Sequence, residues 1–166
     1  MSLSDTDVQK AVRRSLQTEK NAMDFYQAAA KRMQDPDAKR VFELLSREER
    51  EHAGTFFKIY REGDIPSLDT YLNTPPEHEA EWLAALGKLF ETDFTEAKAL
   101  KVALDKEAEL EKALRNLAGQ MTNPEVKAVY ELNADETRKH YLLVEAEYAR
   151  VMGMVHESDM DTFVRE

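Results

Sequence analysis

Arg47-Glu48-Glu49-Arg50-Glu51-His52 is the stretch whose reading decides the fold, because it holds Glu49-x-x-His52. Residues three apart on a helix share a face about one turn apart, so a carboxylate and an imidazole can converge on one point, as metal ligands do. Alone the hexapeptide says little. In so acidic a chain roughly one His in six has a Glu at that spacing by chance.

The context comes from a repeat. Shifted by 88 residues without a gap, Leu16, Glu19, Met33, Pro36, Lys39, Val41, Glu43, Leu44, Glu48, Arg50, His52 and Tyr60 fall on Leu104, Glu107, Met121, Pro124, Lys127, Val129, Glu131, Leu132, Glu136, Arg138, His140 and Tyr148. Asp35-Pro36 meets Asn123-Pro124 at the same place. A shared register of this length marks one supersecondary unit used twice.

Each unit reads as a helical hairpin. Ser4-x-x-Asp7 caps a first helix that runs to Gln34, with Val12, Leu16, Glu19, Met23, Tyr26, Ala30 and Met33 on its inner stripe. Asp35-Pro36 ends it and starts a second, since Pro suits the first helical position and Asp caps the free amides. The second runs to about Glu62 before Gly63, with Ala38, Phe42, Leu45, Glu49, His52, Phe56 and Ile59 inward. Gly54 inside it suggests a close helix contact. Residues 64–92 form a connection with an amphipathic segment from Glu77 to Phe90 that carries Trp82. It is long enough to return the chain along a bundle, which lets the second and third helices run parallel. The third helix runs from Phe94 to Met121 with Leu100, Leu104, Glu107, Leu110, Leu114, Leu117 and Met121 inward. The fourth runs from Pro124 to a stop at Gly153 with Val126, Val129, Asn133, Thr137, His140, Val144, Glu147 and Val151 inward, and a polar tail follows that frays or forms a short extra helix.

Composition agrees with an all-α chain forming one domain over residues 1–166. Gly and Pro number five each, and charged residues make up 34%. The net charge of −10 argues against nucleic acid or an anionic membrane as partner. No cysteine is present, so any metal here is held by oxygen and nitrogen. The N-terminus has no basic start or apolar run, and no stretch of about eighteen apolar residues occurs, so a cytoplasmic location is expected.

The stripes are interrupted near their middles by ionisable residues, at Glu19, Glu49 with His52, Glu107 and His140. In antiparallel pairs that reverse at residues 35 and 123, these interruptions meet at one level. Several buried carboxylates repel unless something neutralises them, and a pair of divalent cations would do so. One Glu from each of two helices and Glu-x-x-His from the others is the donor set of ferritin-like dimetal proteins. Carboxylate oxygens with one imidazole per metal suit iron or manganese.

Glu19 with Ala22, Phe25 and Tyr26, then Asp35-Pro36 through Val41-Phe42, the stretch from Glu48 to His52, and the echo over residues 104–148 together carry a resemblance to the rubrerythrin-like branch of the ferritin-like superfamily. The resemblance implies a ferritin-like four-helix bundle of two pseudo-symmetric hairpins joined by a long crossover. It also implies two iron ions, for which manganese or zinc can substitute, with Glu19, Glu49, His52, Glu107 and His140 at ligand positions. Tyr26 matches a tyrosine that sits behind such ligands. The implied function is a redox reaction of iron with peroxide or oxygen, fed by an external electron donor because no cysteine-rich rubredoxin module is present.

The chain departs from the family pattern at Thr137, where the second Glu-x-x-His would have its Glu, and at Leu110, where rubrerythrins carry a further carboxylate. Glu136, one residue earlier, completes the set only if its helix turns it inward. These departures leave open a non-catalytic iron-binding or scaffold bundle with a degenerate site. Arg47, Glu48, Arg50 and Glu51 otherwise read as a solvated face, and Tyr130, Tyr141 and Tyr148 as core or interface aromatics. His78 and His156 receive no role. Phe57, Trp82 and Phe94 are the candidates for an interface in a homo-oligomer.

Overall fold

A computed structural model describes residues 3–78 and 80–164, with side-chain surroundings as far as Gly153; His156 and the other side chains beyond it lie outside the described residues. Among the described residues there are six helices and no strand: α1 Asp5–Arg32, α2 Pro36–Lys58, α3 Leu68–Leu72, α4 Glu81–Glu91, α5 Glu96–Gln120 and α6 Pro124–Val164. α1 packs most extensively on α2, and α5 on α6. No described helix is long and apolar enough to cross a membrane.

The repeat in the sequence is a repeat in three dimensions. Asp35 Oδ1 accepts from the amides of Asp37 and Ala38 at the start of α2. Asn123 Oδ1 accepts from those of Glu125 and Val126 at the start of α6. The preceding helices end alike, with the Met33 amide donating to the Ala30 carbonyl and the Met121 amide to that of Ala118. All three hydrogen bonds recur 88 residues on, so the two units turn by the same chemistry.

Contacts between helices fix their directions. Ser46 donates to the Met23 carbonyl and Gln9 to that of Ile59, so α1 and α2 are antiparallel. Arg115 pairs with Asp135 and His140 with Glu107, so α5 and α6 are antiparallel as well. Thr55 with Asn133 and Glu49 with His140 set α2 against α6. α2 and α5 therefore run parallel, which two hairpins can achieve only through a long return. That return climbs α1 from end to end: Asp64 meets Arg13, Tyr71 meets Gln17, Pro75 meets Lys20, Trp82 packs on Phe25, and Phe90 lies under Arg32.

The core is one contiguous cluster, and every residue of the first two expected stripes is buried. In the third and fourth stripes Leu104, Leu117, Val129 and Val151 are only partly buried. α1 ends at Arg32, short of the expected Gln34. α2 stops at Lys58 rather than Glu62, because Gln9 of α1 accepts from the Arg61 amide and donates to the Ile59 carbonyl. Gly63, expected as the stop, lies beyond it with φ +75°. Nor does Gly153 close the last helix, since α6 continues to Val164; a lone Gly costs a helix only about 1 kcal/mol. No close helix contact requires the glycine at Gly54, since a Cβ added there would meet only the Leu68 side chain of α3, at an ordinary 3.9 Å.

Trp82 is not exposed as an interface role would require. It is buried against Phe25 and Tyr26, with ring centroids 5.2 and 5.7 Å away. Phe57 and Phe94 are half-buried against the core, and the Phe94 ring lies 5.6 Å from that of Phe90, tilted by 49°. The large apolar side chains most open to solvent among the described residues are Leu132 and Leu142 on α6.

Candidate metal centre

Each long helix contributes to one buried cluster at mid-bundle: Glu19 from α1, Glu49 and His52 from α2, Glu107 from α5 and His140 from α6. They arrive there because each occupies a core-facing position of a 3.6-residue repeat. All five are at most 7% exposed.

The Glu49 carboxylate lies between the two imidazoles and turns one oxygen to each. His140 Nδ1 donates to Glu49 Oε1 at 2.9 Å, while His52 Nδ1 is 3.5 Å from Glu49 Oε2. The outer acids flank the same nitrogens: Glu19 Oε2 is 3.7 Å from His52 Nδ1, and Glu107 Oε1 is 3.7 Å from His140 Nδ1. The rings stack with centroids 4.8 Å apart and planes 19° apart. Two half-sites result, Glu19 with His52 and Glu107 with His140, related by the sequence repeat. Glu49 belongs to both. Its own repeat partner is Thr137, which is buried and brings no charge.

Burial of so many ionisable groups moves their protonation. Burial alone would lower His52, but Glu19 and Glu49 lift it to about 10. His140 is likewise opposed by burial and lifted by Glu107 and Glu49 to about 11. Glu19 is held well above the usual carboxylate range by burial and then by the charge of Glu49. Glu107 is raised for the same reasons. Burial pushes Glu49 up too, yet its close neighbours Glu19, His140 and His52 outweigh it and hold Glu49 well below the usual range. The cluster is thus a set of carboxylates that share a few protons.

Tyr26 Oη donates to Glu107 Oε1 at 2.6 Å from a fully buried ring. Burial and then the charges of Glu107 and Glu49 hold its phenol well above its ordinary range, so it remains a donor. The hydroxyl fixes the orientation of Glu107.

The side chains accommodate a cation on two grounds. Glu49, His52 and His140 each offer a ligand atom, and the three atoms lie within 4.8 Å of one another. Buried atoms without a hydrogen-bond partner also concentrate here: both oxygens of Glu19, Oε2 of Glu49, Nδ1 of His52 and Oε2 of Glu107. Orphaned polar atoms are costly and rare in a folded interior, and here they converge from three helices.

Glu136 is not brought into the cluster. Its carboxylate is 32% exposed and 3.5 Å from Lys139 Nζ, at the rim of a cavity of about 260 Å³ shared with Glu48, Glu51, His52 and Asn133. Leu110 is an apolar core residue one turn from Glu107. Glu48, in contrast, has a role that the solvated-face reading missed: it accepts from His140 Nε2 at 2.9 Å. A carboxylate on the far nitrogen of a ligating histidine sets its tautomer and raises its basicity. Nothing local distinguishes Glu48 from Glu51; only the α2–α6 packing does. Asn133 on α6 joins the same layer, donating to Thr55, whose hydroxyl caps the His52 carbonyl.

Fold and cluster together define a helical bundle with a carboxylate- and imidazole-lined interior, the architecture of ferritin-like metal proteins. The family model described as Rubrerythrin matches residues 10–148, and the chain belongs to the rubrerythrin family. Neither the curated proteins nor the solved structures returned a match.

Proposed function

We propose that the chain holds two metal ions, iron in the first instance, between Glu19, Glu49, His52, Glu107 and His140, and that it reduces peroxide or oxygen with electrons from an external donor. The observation that carries this reading is the pair of half-sites that share Glu49, with orphaned ligand atoms facing inward on both sides. Five side chains meet the donor set of dimetal bundles less one carboxylate. Glu49 has an oxygen for each half-site, so it can serve as the common carboxylate. Glu19 and Glu107 would each complete one side, and His52 and His140 would each give one nitrogen. Manganese or zinc suits the same donors.

Two iron ions bound there would supply the one-electron changes by which peroxide becomes water. The remaining work falls to the chain. Tyr26 holds Glu107 in place through its hydroxyl. Glu48 anchors His140 from behind. Leu16, Leu45, Phe56 and Leu110 form part of the buried apolar core that keeps the bundle interior dry.

A second reading, metal binding without turnover, is favoured by Thr137 and by the outward position of Glu136. Metal analysis of untagged, iron-loaded protein separates these, read together with peroxide consumption in the presence of a chemical reductant. About two irons per chain, falling in Glu49→Ala, with reductant-dependent peroxide loss, is the expected result. Two irons with no peroxide loss supports the second reading. One iron or none, unaltered in Glu49→Ala, rules out the shared-carboxylate centre.

A further inference from the structure

A cavity of about 480 Å³ opens between α1, α2 and the crossover, and none of the cluster residues lines it. Its volume falls in the usual range of small-molecule sites, about 300–1,000 Å³. Lys31 of α1 and Arg47 and Arg50 of α2 line it, facing the crossover segment Leu72–Pro76. Its sole acid among the described residues, Asp24, is buried and already neutralised by Lys20 at 2.6 Å.

The crossover wall of this cavity is preformed. Arg50 Nη2 donates to Asn73 Oδ1 at 3.2 Å, Lys20 Nζ to the Pro75 carbonyl at 3.5 Å, and Tyr71 Oη to Gln17 Oε1 at 2.6 Å. Three side chains from α1 and α2 therefore pin the segment over five residues. A site built in advance loses little to ordering when it binds.

The charge at this place runs against that of the chain. The net charge is −10, and many exposed cations are spent on ion pairs, as in Arg13–Asp64, Arg40–Asp37, Lys101–Asp105 and Arg115–Glu111. Lys31 and Arg47 form no ion pair with any described residue, and Arg50 approaches only the exposed Asp69, at 3.7 Å. Three cations gathered in a concave site, two of them without an ionic partner and the third with only a long, exposed one, call for an anion. A carboxylate brings one charge, whereas a phosphoryl group brings roughly −1.5 to −2 and three acceptor oxygens, a match for three cations from two helices. Arginine forks suit phosphate oxygens in particular.

We propose that this cavity is an anion site that takes the phosphoryl group of a small phosphorylated ligand. Free phosphate and the phosphate of a nucleotide share that chemistry. Calorimetric titration of the full chain with inorganic phosphate and, separately, with flavin mononucleotide tells the sources apart. Binding of phosphate alone assigns free phosphate, and tighter binding of the nucleotide assigns a nucleotide; either supports the site if the double variant Lys31→Glu/Arg47→Glu weakens it at least tenfold. Both side chains are exposed, so the variant's helix content should match the parent; Arg47→Ala alone serves if the double variant does not fold. Lys112→Glu, at an exposed position of α5 that does not line the cavity, should leave binding unchanged. Absence of binding by both ligands, or equal binding in parent and variant, overturns the proposal. Because binding is read without turnover, failure here leaves the metal reading intact.

Discussion

Glu49→Gln tests the electrostatic account of the cluster most directly. In the metal-free protein Glu49 faces both imidazoles, which are lifted to about 10 for His52 and about 11 for His140. Removing its charge leaves two stacked imidazolium rings 4.8 Å apart. The repulsion between them is already present in the parent; what the variant loses is the attraction of a charge 3.5 Å from His52 Nδ1, which at an effective dielectric of about 20 is roughly 4.7 kcal/mol, or roughly 3.5 pKa units. One of the two rings should then titrate near neutrality. The assay is an NMR pH titration of the imidazole signals in metal-free parent and variant. In the parent, His52 and His140 should both stay protonated from pH 6 to 8, and in the variant only one of them. Stability carries a matching signature. Histidines raised in the folded state stabilise it fully below their unfolded pKa of about 6.5, and that contribution is lost as pH climbs through about 10. The urea midpoint of the parent should therefore exceed that of the variant by more at pH 6.5 than at pH 9. Titration of His52 and His140 near 6.5 in the parent, or two imidazoles still charged in Glu49→Gln at pH 8, would refute the reasoning.

Tyr26→Phe removes a donor to a buried carboxylate without opening a cavity, so it should cost about 1.5–3 kcal/mol in urea unfolding; no change would mean that Glu107 is oriented by something else. Loading metal at pH 7 should expel at least two protons per chain, one from each raised histidine and any held by the raised carboxylates Glu19 and Glu107, as read by calorimetry in buffers of different ionisation enthalpy. Buffer-independent heats would contradict that. Glu48→Ala should weaken metal binding about 10- to 100-fold through His140, while Glu136→Ala leaves it unchanged. The reverse order of effects would show that Glu136 swings inward when metal is bound.

Much of this architecture could be read from periodicity. A helix must bury one stripe, so the polar residues on a stripe are conspicuous, and Glu19, Glu49, His52, Glu107 and His140 all proved to be buried. The 88-residue shift located both hairpin turns because capping is local chemistry, written in Asp35-Pro36 and Asn123-Pro124. What periodicity cannot see is the partner across the gap. α2 ends early because of Gln9, some fifty residues away in the chain. Glu48 and Glu51 are equivalent acids until α6 places His140 beside one of them. Glu136 is one residue, about 100° of helix, from a position that would face the core, and packing alone decides on which side it falls. Trp82 looked exposed because its segment is short, and only the path of the crossover along α1 shows what covers it.

That path gives the protein an optical reporter of its own. Trp82 is the one tryptophan in the chain, so its emission has a single source. Its ring rests on Tyr26, whose hydroxyl grips Glu107. A shift of Glu107 is therefore passed through one phenol to the indole, and detachment of the crossover exposes that same indole to water. The first event perturbs a buried emitter and the second turns it into a solvated one. Emission intensity and wavelength can therefore follow the interior of the bundle and the seating of its outer segment in a single, label-free trace.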